Sequence, residues 1–144
     1  MSGATSQQQP GTAGICRRNA EHLLELARSS QPGVTFDLTG VRWLEAYIEH
    51  VRPQLAPDLI NEFVEIAGCF YGECLVDTFG GTWARANDRS LAVVMQPHGY
   101  TFPFAAIAQQ VHGQEGASIE RSFSGALAYL ESLATARSTA MVAA

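Results

Sequence analysis

The sequence predicts an α+β fold: three N-terminal helices, a small antiparallel sheet of about three strands, and two C-terminal helices. Apolar residues recur at helical spacing through most of the first 79 residues, alternate over short segments from 82 to 102, and return to helical spacing after Pro103. A chain of 144 residues without internal repeats is expected to form one domain, here 13–136. Because three short strands cannot shield both faces of a sheet, the helices must pack on it.

The first two helices are separated by turn-forming residues. We expect a disordered tail over 1–12, which contains Gln, Ser, Thr, Gly and Pro and few apolar residues. A helix follows over about 13–28 and ends at the segment SSQPG. The second helix is predicted over about 40–51, with Thr39 as its N-cap, because serine and threonine side chains accept hydrogen bonds from the free N–H groups there.

The third helix is predicted to run from Pro57 to about residue 79. Proline is favoured in the first position of a helix because its ring fixes the backbone and no N–H is needed there. The pair Gly80 and Gly81 is expected to supply the left-handed residue that commonly closes a helix. The remaining predicted elements are strands at 82–86, 91–96 and 100–102, helices at 103–111 and 118–136, and a flexible tail at 137–144.

Composition indicates which classes of protein the chain resembles. The net charge of −5 argues against a general nucleic-acid binder, which usually shows a basic stripe. The N-terminus lacks the apolar core of a signal peptide, and no segment approaches the length of a membrane span. The three cysteines follow no disulfide framework. We therefore predict a cytoplasmic protein with reduced thiols and no membrane partner.

Two glycines lie one turn apart in the predicted third helix, within the segment GCFYGECLVDTFGGTW. Gly68 and Gly72 each cost a helix about 1 kcal/mol relative to alanine, so a compensating interaction is expected. Close packing of another helix or of the following sheet would provide it, and a ligand against the bare backbone is the alternative. A membrane-type helix dimer would need a longer apolar helix.

The negative charge is concentrated on the same helix. Residues 57–81 contain five acidic residues and no basic one. At 100° per residue, four of the acids and one cysteine form a stripe along one face, which we call the acidic stripe. An ordinary solvated face would explain it, although solvated helices usually place a basic residue four positions after an acid. The stripe consists of Glu62, Glu65, Cys69, Glu73 and Asp77.

Glu73 lies where the helix becomes almost wholly apolar, so it is expected to be partly buried and to need a partner. Arg85, Arg89 or Arg42 could form a structural ion pair with it, and a basic partner protein could do so from outside. A divalent metal is a third interpretation, but one helix gives poor convergent geometry, and the chain has no Glu-x-x-His motif. We predict no metal and no cofactor.

The cysteines and histidines show no catalytic pattern. Cys69 and Cys74 are about 140° apart around a helix and cannot readily share a metal or a bridge there. Acidic neighbours should raise the pKa of Cys69, which argues against a reactive nucleophile, and Cys74 is predicted to be a core residue. His98, near Tyr100, is expected to be structural or to contact a ligand.

A pattern covers about residues 57–124: Gly-x-x-x-Gly-Glu on a helix, Gly-x-x-Trp, a short strand, an aromatic-Pro turn, and a Gly-Glu step before the last helix. In this respect the chain resembles a class of small bacterial domains of unknown function. The resemblance implies a shared fold and, because the class has no assigned reaction, no catalytic residue. The matching residues are Gly68, Gly72, Glu73, Gly80, Gly81, Trp83, Phe102, Pro103, Gly113 and Glu115.

Three classes of function follow from these observations. The first is a non-catalytic binding or regulatory protein, comparable to an immunity protein, that uses Glu62, Glu65, Glu73 and Asp77 against a basic partner protein. The second is an enzyme or small-ligand protein with a pocket between the third helix and the sheet, whose mark would be a buried Glu73 not paired with arginine. The third is a structural homo-oligomer. The pocket would be lined by Glu73, Trp83, His98 and Tyr100.

Overall fold

The computed structural model describes residues 11–95 and 99–143, and of residues 138–143 only the backbone. The predicted α+β fold is confirmed, with the predicted order of three helices, a three-stranded antiparallel sheet and two helices. Two short 3-10 turns, Arg52–Gln54 and Pro57–Leu59, connect the second helix to the third. The elements are α1 (Thr12–Ser30), α2 (Leu38–Val51), α3 (Ile60–Phe79), β1 (Thr82–Arg85), β2 (Leu91–Met95), β3 (Gly99–Thr101), α4 (Pro103–Val111) and α5 (Ile119–Ala143).

Two predicted helix starts are wrong. Asp37, not Thr39, is the N-cap of α2, and its carboxylate accepts a hydrogen bond of 2.9 Å from the Thr39 backbone N–H. Aspartate is as good a cap as threonine, and the extended backbone at residue 37 allows the bond. Pro57 opens a 3-10 turn, and the α-helical hydrogen bonding of α3 begins only at Ile60.

Helix α3 lies at the centre of the fold and contacts α1, α2, α4, β1 and β2. Its first two turns are partly exposed, whereas nine consecutive residues from Ala67 to Leu75 are buried. A helix that is buried on every side must be apolar on every side, which explains the run of apolar residues in its second half. The one charged residue in that run is Glu73.

The sheet has the order β1-β2-β3, and both pairs of strands are antiparallel. Trp83 pairs with Val93, which is fully buried, whereas Val94 pairs with Tyr100. Because side chains alternate between the two faces of a sheet, Trp83 and Tyr100 point to opposite faces. The face that carries Trp83 covers α3.

Helices α4 and α5 complete the core. Pro103 occupies the first position of α4, as predicted. The start of α5 is held from two sides: the Ile119 N–H donates to the Gln110 side-chain oxygen at 3.2 Å, and Ser118 donates to Glu45 at 2.8 Å.

Helix α5 extends to Ala143. It continues beyond the predicted end at 136, because the segment STAMVA contains no Gly or Pro that would stop it. Of the tail predicted over 1–12, residues 1–10 lie outside the described residues, and Thr12 already begins α1. Within the described part of the chain, no helix combines the length and apolar character needed to cross a bilayer.

Candidate functional site

The two glycines of α3 allow aromatic side chains to lie directly on the helix backbone. A Cβ atom added to Gly72 would overlap with the indole ring of Trp83, and one added to Gly68 would overlap with the ring of Phe104. The two aromatic rings are themselves 5.9 Å apart, centroid to centroid. The packing predicted for these glycines is therefore present, with the sheet and α4 as its two sources.

The glycines after α3 have separate roles. Gly80 is the C-cap of the helix and adopts the left-handed conformation with φ of 70°, as predicted. Gly81 is buried, and a Cβ atom there would lie 2.6 Å from the Val93 side chain. Together they turn the chain sharply from α3 into β1, which brings Trp83 back onto the helix that precedes it.

Glu73 is a buried carboxylate with two donors. It is 3% exposed. The Trp83 indole N–H donates to Oε2 at 2.6 Å, and the Arg17 guanidinium donates to Oε1 at 2.8 Å. Each oxygen therefore has its own hydrogen bond, which offsets the cost of removing a charge from water. Glu73 joins three elements: α1, α3 and β1.

Arg17 is held by more than this one bond. The same nitrogen, Nη1, also donates to Asp77 at 3.1 Å, and the guanidinium carbon lies 4.6 Å from the centre of the Phe36 ring. The hydrogen bond to Glu73 and the neighbouring Asp77 raise the pKa of Arg17. Its side chain is 41% exposed, so it closes the cluster from the solvent side.

Arg17 was not among the partners predicted for Glu73. The three arginines that were named form other contacts: Arg42 pairs with Glu120 at 3.0 Å, and Arg85 donates to the Arg89 carbonyl at 3.0 Å. The sequence contains no local signal that marks Arg17 as the partner of Glu73. Arg17 and Glu73 are 56 residues apart in the sequence. Helical periodicity is a local pattern, so it does not predict which face of α1 packs on α3.

The structure does not bring together the three described residues of the proposed pocket. Trp83 bonds to Glu73, but Tyr100 lies on the opposite face of the sheet, 48% exposed and stacked on Phe102. His98 lies outside the described residues. The pocket hypothesis required a buried Glu73 without an arginine partner, and the ion pair between Glu73 and Arg17 contradicts this requirement.

The acidic stripe is divided by the packing of α1. Its central members, Cys69 and Glu73, are buried, and Asp77 is paired with Arg17. Glu62 and Glu65 are exposed, as is the nearby Asp58. These three carboxylates form no ion pair with any other described residue, so they carry the charge of this segment that is directed outward.

An open apolar groove lies beside these carboxylates. It has a volume of about 220 Å³ and is lined by four apolar residues and by Glu62. Leu59 is 49% exposed, and Phe63 stacks on Tyr47, which in turn stacks on Trp43. The floor of the groove is therefore fixed by an aromatic series that reaches into the core. The apolar lining residues are Leu55, Leu59, Phe63 and Ile66.

Neither potential metal ligands nor comparison with known proteins indicates a function for this chain. Among the described residues, no group of three or more His, Cys, Asp or Glu side chains could hold a metal ion. Comparison of the chain with family models, with curated proteins and with solved structures gave no match. The resemblance to small bacterial domains stays a prediction.

Proposed function

We propose that this protein is a cytosolic, non-catalytic binding module whose partner is a basic protein segment with an exposed apolar side chain. The proposed interface is the groove of Leu55, Leu59, Phe63 and Ile66 together with the three carboxylates beside it, which we call the α3 surface. The observation that carries the proposal is that Asp58, Glu62 and Glu65 have no cationic partner among the described residues, although they border exposed apolar groups.

The chemistry of the surface specifies the chemistry of the partner. Burying an apolar side chain in the groove would stabilise the complex by about 25 cal/mol per Å² of apolar area removed from water. Arg or Lys residues on either side of that side chain would pair with the carboxylates. These charge pairs would mainly speed association and exclude acidic segments, and they would add less to the affinity itself. The interface thus combines an apolar centre with a charged rim, the usual arrangement in protein–protein contacts.

A small-molecule site has less support. Ligand pockets typically have volumes of about 300–1,000 Å³. The α3 groove has about 220 Å³ and is open, and a second cavity, between α4 and the start of α5, has about 110 Å³. A shallow apolar surface with a charged border suits a side chain of a protein partner better than it suits a whole metabolite.

The interface differs from that expected from the sequence, which included Glu73 and Asp77. Both of these carboxylates already bond to Arg17 within the chain. Reversing the charge at Glu73 would place an arginine in the core and unfold the protein, so it does not test binding. The informative positions are Glu62 and Glu65, because both are exposed.

Selection from a random library of 12-residue peptides tests the proposal. The selected sequences should be enriched in Arg or Lys around a large apolar residue, and their binding, followed by fluorescence anisotropy, should weaken about 10-fold between 50 and 500 mM NaCl. The double variant Glu62→Arg/Glu65→Arg should lose at least 10-fold in affinity. Glu25→Arg/Glu131→Arg is the matched control, since it changes two exposed acids and the same net charge.

The apolar half of the surface has its own control. Leu59 is 49% exposed and Leu26, on α1, is 47% exposed, so replacing either with serine should leave the fold intact. Only Leu59→Ser should weaken peptide binding. Selected peptides without a basic bias, or equal losses in the Glu25/Glu131 or Leu26 controls, would contradict the proposal. A dimer in sedimentation velocity that Leu59→Ser dissociates would instead assign the groove to a second copy of the chain.

A further inference from the structure

Two cysteines from different helices lie against each other in the core. Cys16 of α1 is 4% exposed and Cys69 of α3 is 3% exposed. Both thiols are free, both belong to the buried core where α1 packs on α3, and each acts on the pKa of the other. They lie at the contact between α1 and α3, next to Arg17 in sequence and one turn before Glu73. The pair is therefore placed where a covalent bond would connect two helices.

The two thiols are chemically unequal. The hydrogen bond from Cys69 lowers the pKa of Cys16, while the same bond, burial and the charges nearby raise the pKa of Cys69. The direction agrees with that predicted for Cys69, but the main causes are the Cys16 thiol and burial, and the acidic neighbour Glu73 contributes least. Position assigns the nucleophile: Cys16 lies near the exposed N-terminal end of α1, whereas Cys69 lies in the buried half of α3. The third cysteine, Cys74, is fully buried, and burial raises its pKa well above the usual value.

We propose that Cys16 and Cys69 form a reversible oxidation site, at which a hydroperoxide converts the thiol pair into a disulfide that ties α1 to α3. In the first step the Cys16 thiolate attacks a peroxide oxygen, an S–O bond forms, the O–O bond breaks and hydroxide leaves. Cys16 becomes a sulfenic acid as the peroxide is reduced. Cys69 sulfur then attacks the Cys16 sulfur, an S–S bond forms, and the oxygen leaves with the Cys69 proton as water. With hydrogen peroxide, two thiols and one peroxide give one disulfide and two waters.

The start of α1 provides the route to these thiols. Residues 11–15 are exposed, and the N-cap Gly11 has no side chain to bond the free N–H groups of the first turn. Such an end opens locally at low cost, whereas the middle of α3 does not. Opening the first turn uncovers Cys16 before Cys69, so Cys16 is the thiol that meets the peroxide. The disulfide then removes this local opening.

Treatment of the native full-length chain with a few equivalents of hydrogen peroxide tests the site. Intact mass spectrometry should show a loss of 2 Da per chain that dithiothreitol reverses. The oxidised protein should also melt about 5–10 °C higher, because the disulfide closes a loop of about 50 residues in the unfolded chain.

The crosslink can be assigned from the sequence. Trypsin leaves Cys69 and Cys74 on one peptide, 43–85, because the chain has no Lys and Arg52 precedes Pro53. Cleavage after Glu73 with a glutamate-specific protease separates the two. The expected product joins the peptide of Cys16 to that of Cys69, and the Cys74→Ala variant should form it at the same rate as the wild type.

Substitution of each cysteine in turn tests the two steps of the mechanism. In Cys69→Ala the sulfenic acid on Cys16 has no second thiol and should be trapped by dimedone. In Cys16→Ala the native protein should neither lose 2 Da nor react with dimedone at Cys69. The proposal is overturned if the wild type is oxidised only under denaturing conditions, if the crosslink involves Cys74, or if the product is a disulfide between two chains.

Discussion

Replacing Glu73 with glutamine removes a buried charge without changing the volume of the side chain. The wild-type carboxylate accepts one bond from Trp83 at 2.6 Å and one from Arg17 at 2.8 Å. Hydrogen bonds to charged groups contribute about 1.5–3 kcal/mol each. In Glu73→Gln, one donor keeps a neutral acceptor, while the other faces the amide NH₂ group and loses its bond.

The expected loss in the free energy of unfolding is about 2 kcal/mol. A larger value, as for a fully buried ion pair, is not expected, because the Arg17 side chain is 41% exposed and keeps its bond to Asp77. The loss falls mainly on the Trp83 N–H or on the shielded side of the guanidinium, where water replaces the carboxylate poorly.

Urea denaturation followed by far-UV circular dichroism measures this difference. Glu62→Gln is the matched control, since Glu62 is an exposed glutamate on the same helix, and it should change the free energy of unfolding by less than about 0.5 kcal/mol. If Glu73→Gln falls within that same limit at an unchanged denaturant slope, the three-element contact does not stabilise the fold and our argument from its geometry is refuted.

Three further predictions test other parts of the core. Gly72→Ala should destabilise the protein by about 2 kcal/mol in thermal or urea unfolding, because the added Cβ overlaps with the Trp83 indole ring. Gly125→Ala, at an open position of α5, should instead stabilise the protein by about 0.5–1 kcal/mol. Equal effects of the two substitutions would show that close packing does not require glycine at position 72. Burial raises the pKa of Tyr71, so this side chain ionises first in the unfolded chain, and its contribution to stability should be constant below about pH 10 and fall above it. The buried thiols of Cys69 and Cys74 weaken the fold at high pH in the same way, so Tyr71→Phe should reduce the fall in urea midpoints between about pH 10 and 11 without abolishing it, and an unchanged fall would contradict the role of Tyr71. Gln110→Leu leaves the Ile119 N–H without its acceptor, so hydrogen exchange at that amide should become at least 10-fold faster, and an unchanged rate would contradict the assigned bond.

The fold was predictable from the sequence because its elements are defined by local patterns. Helical spacing, the glycine pair after α3 and the alternating residues of the strands each depend on neighbours within a few positions. The helix ends were less accurate: either Asp37 or Thr39 could cap α2, and only the backbone conformation at Asp37 decides between them.

The candidate site was only partly predictable. The sequence indicated that Glu73 needs a partner and that the glycines need close packing, because both conclusions follow from the cost of a single residue. It did not indicate Arg17 as the partner, or that Cys16 meets Cys69. Those contacts depend on the rotation of α1 about its own axis. The burial of Ala20, Leu24 and Ala27 on one side of α1 sets this rotation.

The contacts of Glu73 also have a consequence for the order of folding. Trp83 lies ten residues after Glu73, whereas Arg17 lies 56 residues before it. Closing the shorter loop costs less chain entropy, so α3 and the β1–β2 hairpin should associate first and α1 should dock onto a formed surface. Substitutions between α3 and β1 would then slow refolding, whereas substitutions of Arg17 would mainly accelerate unfolding. One carboxylate would thus take part in both an early and a late step of folding.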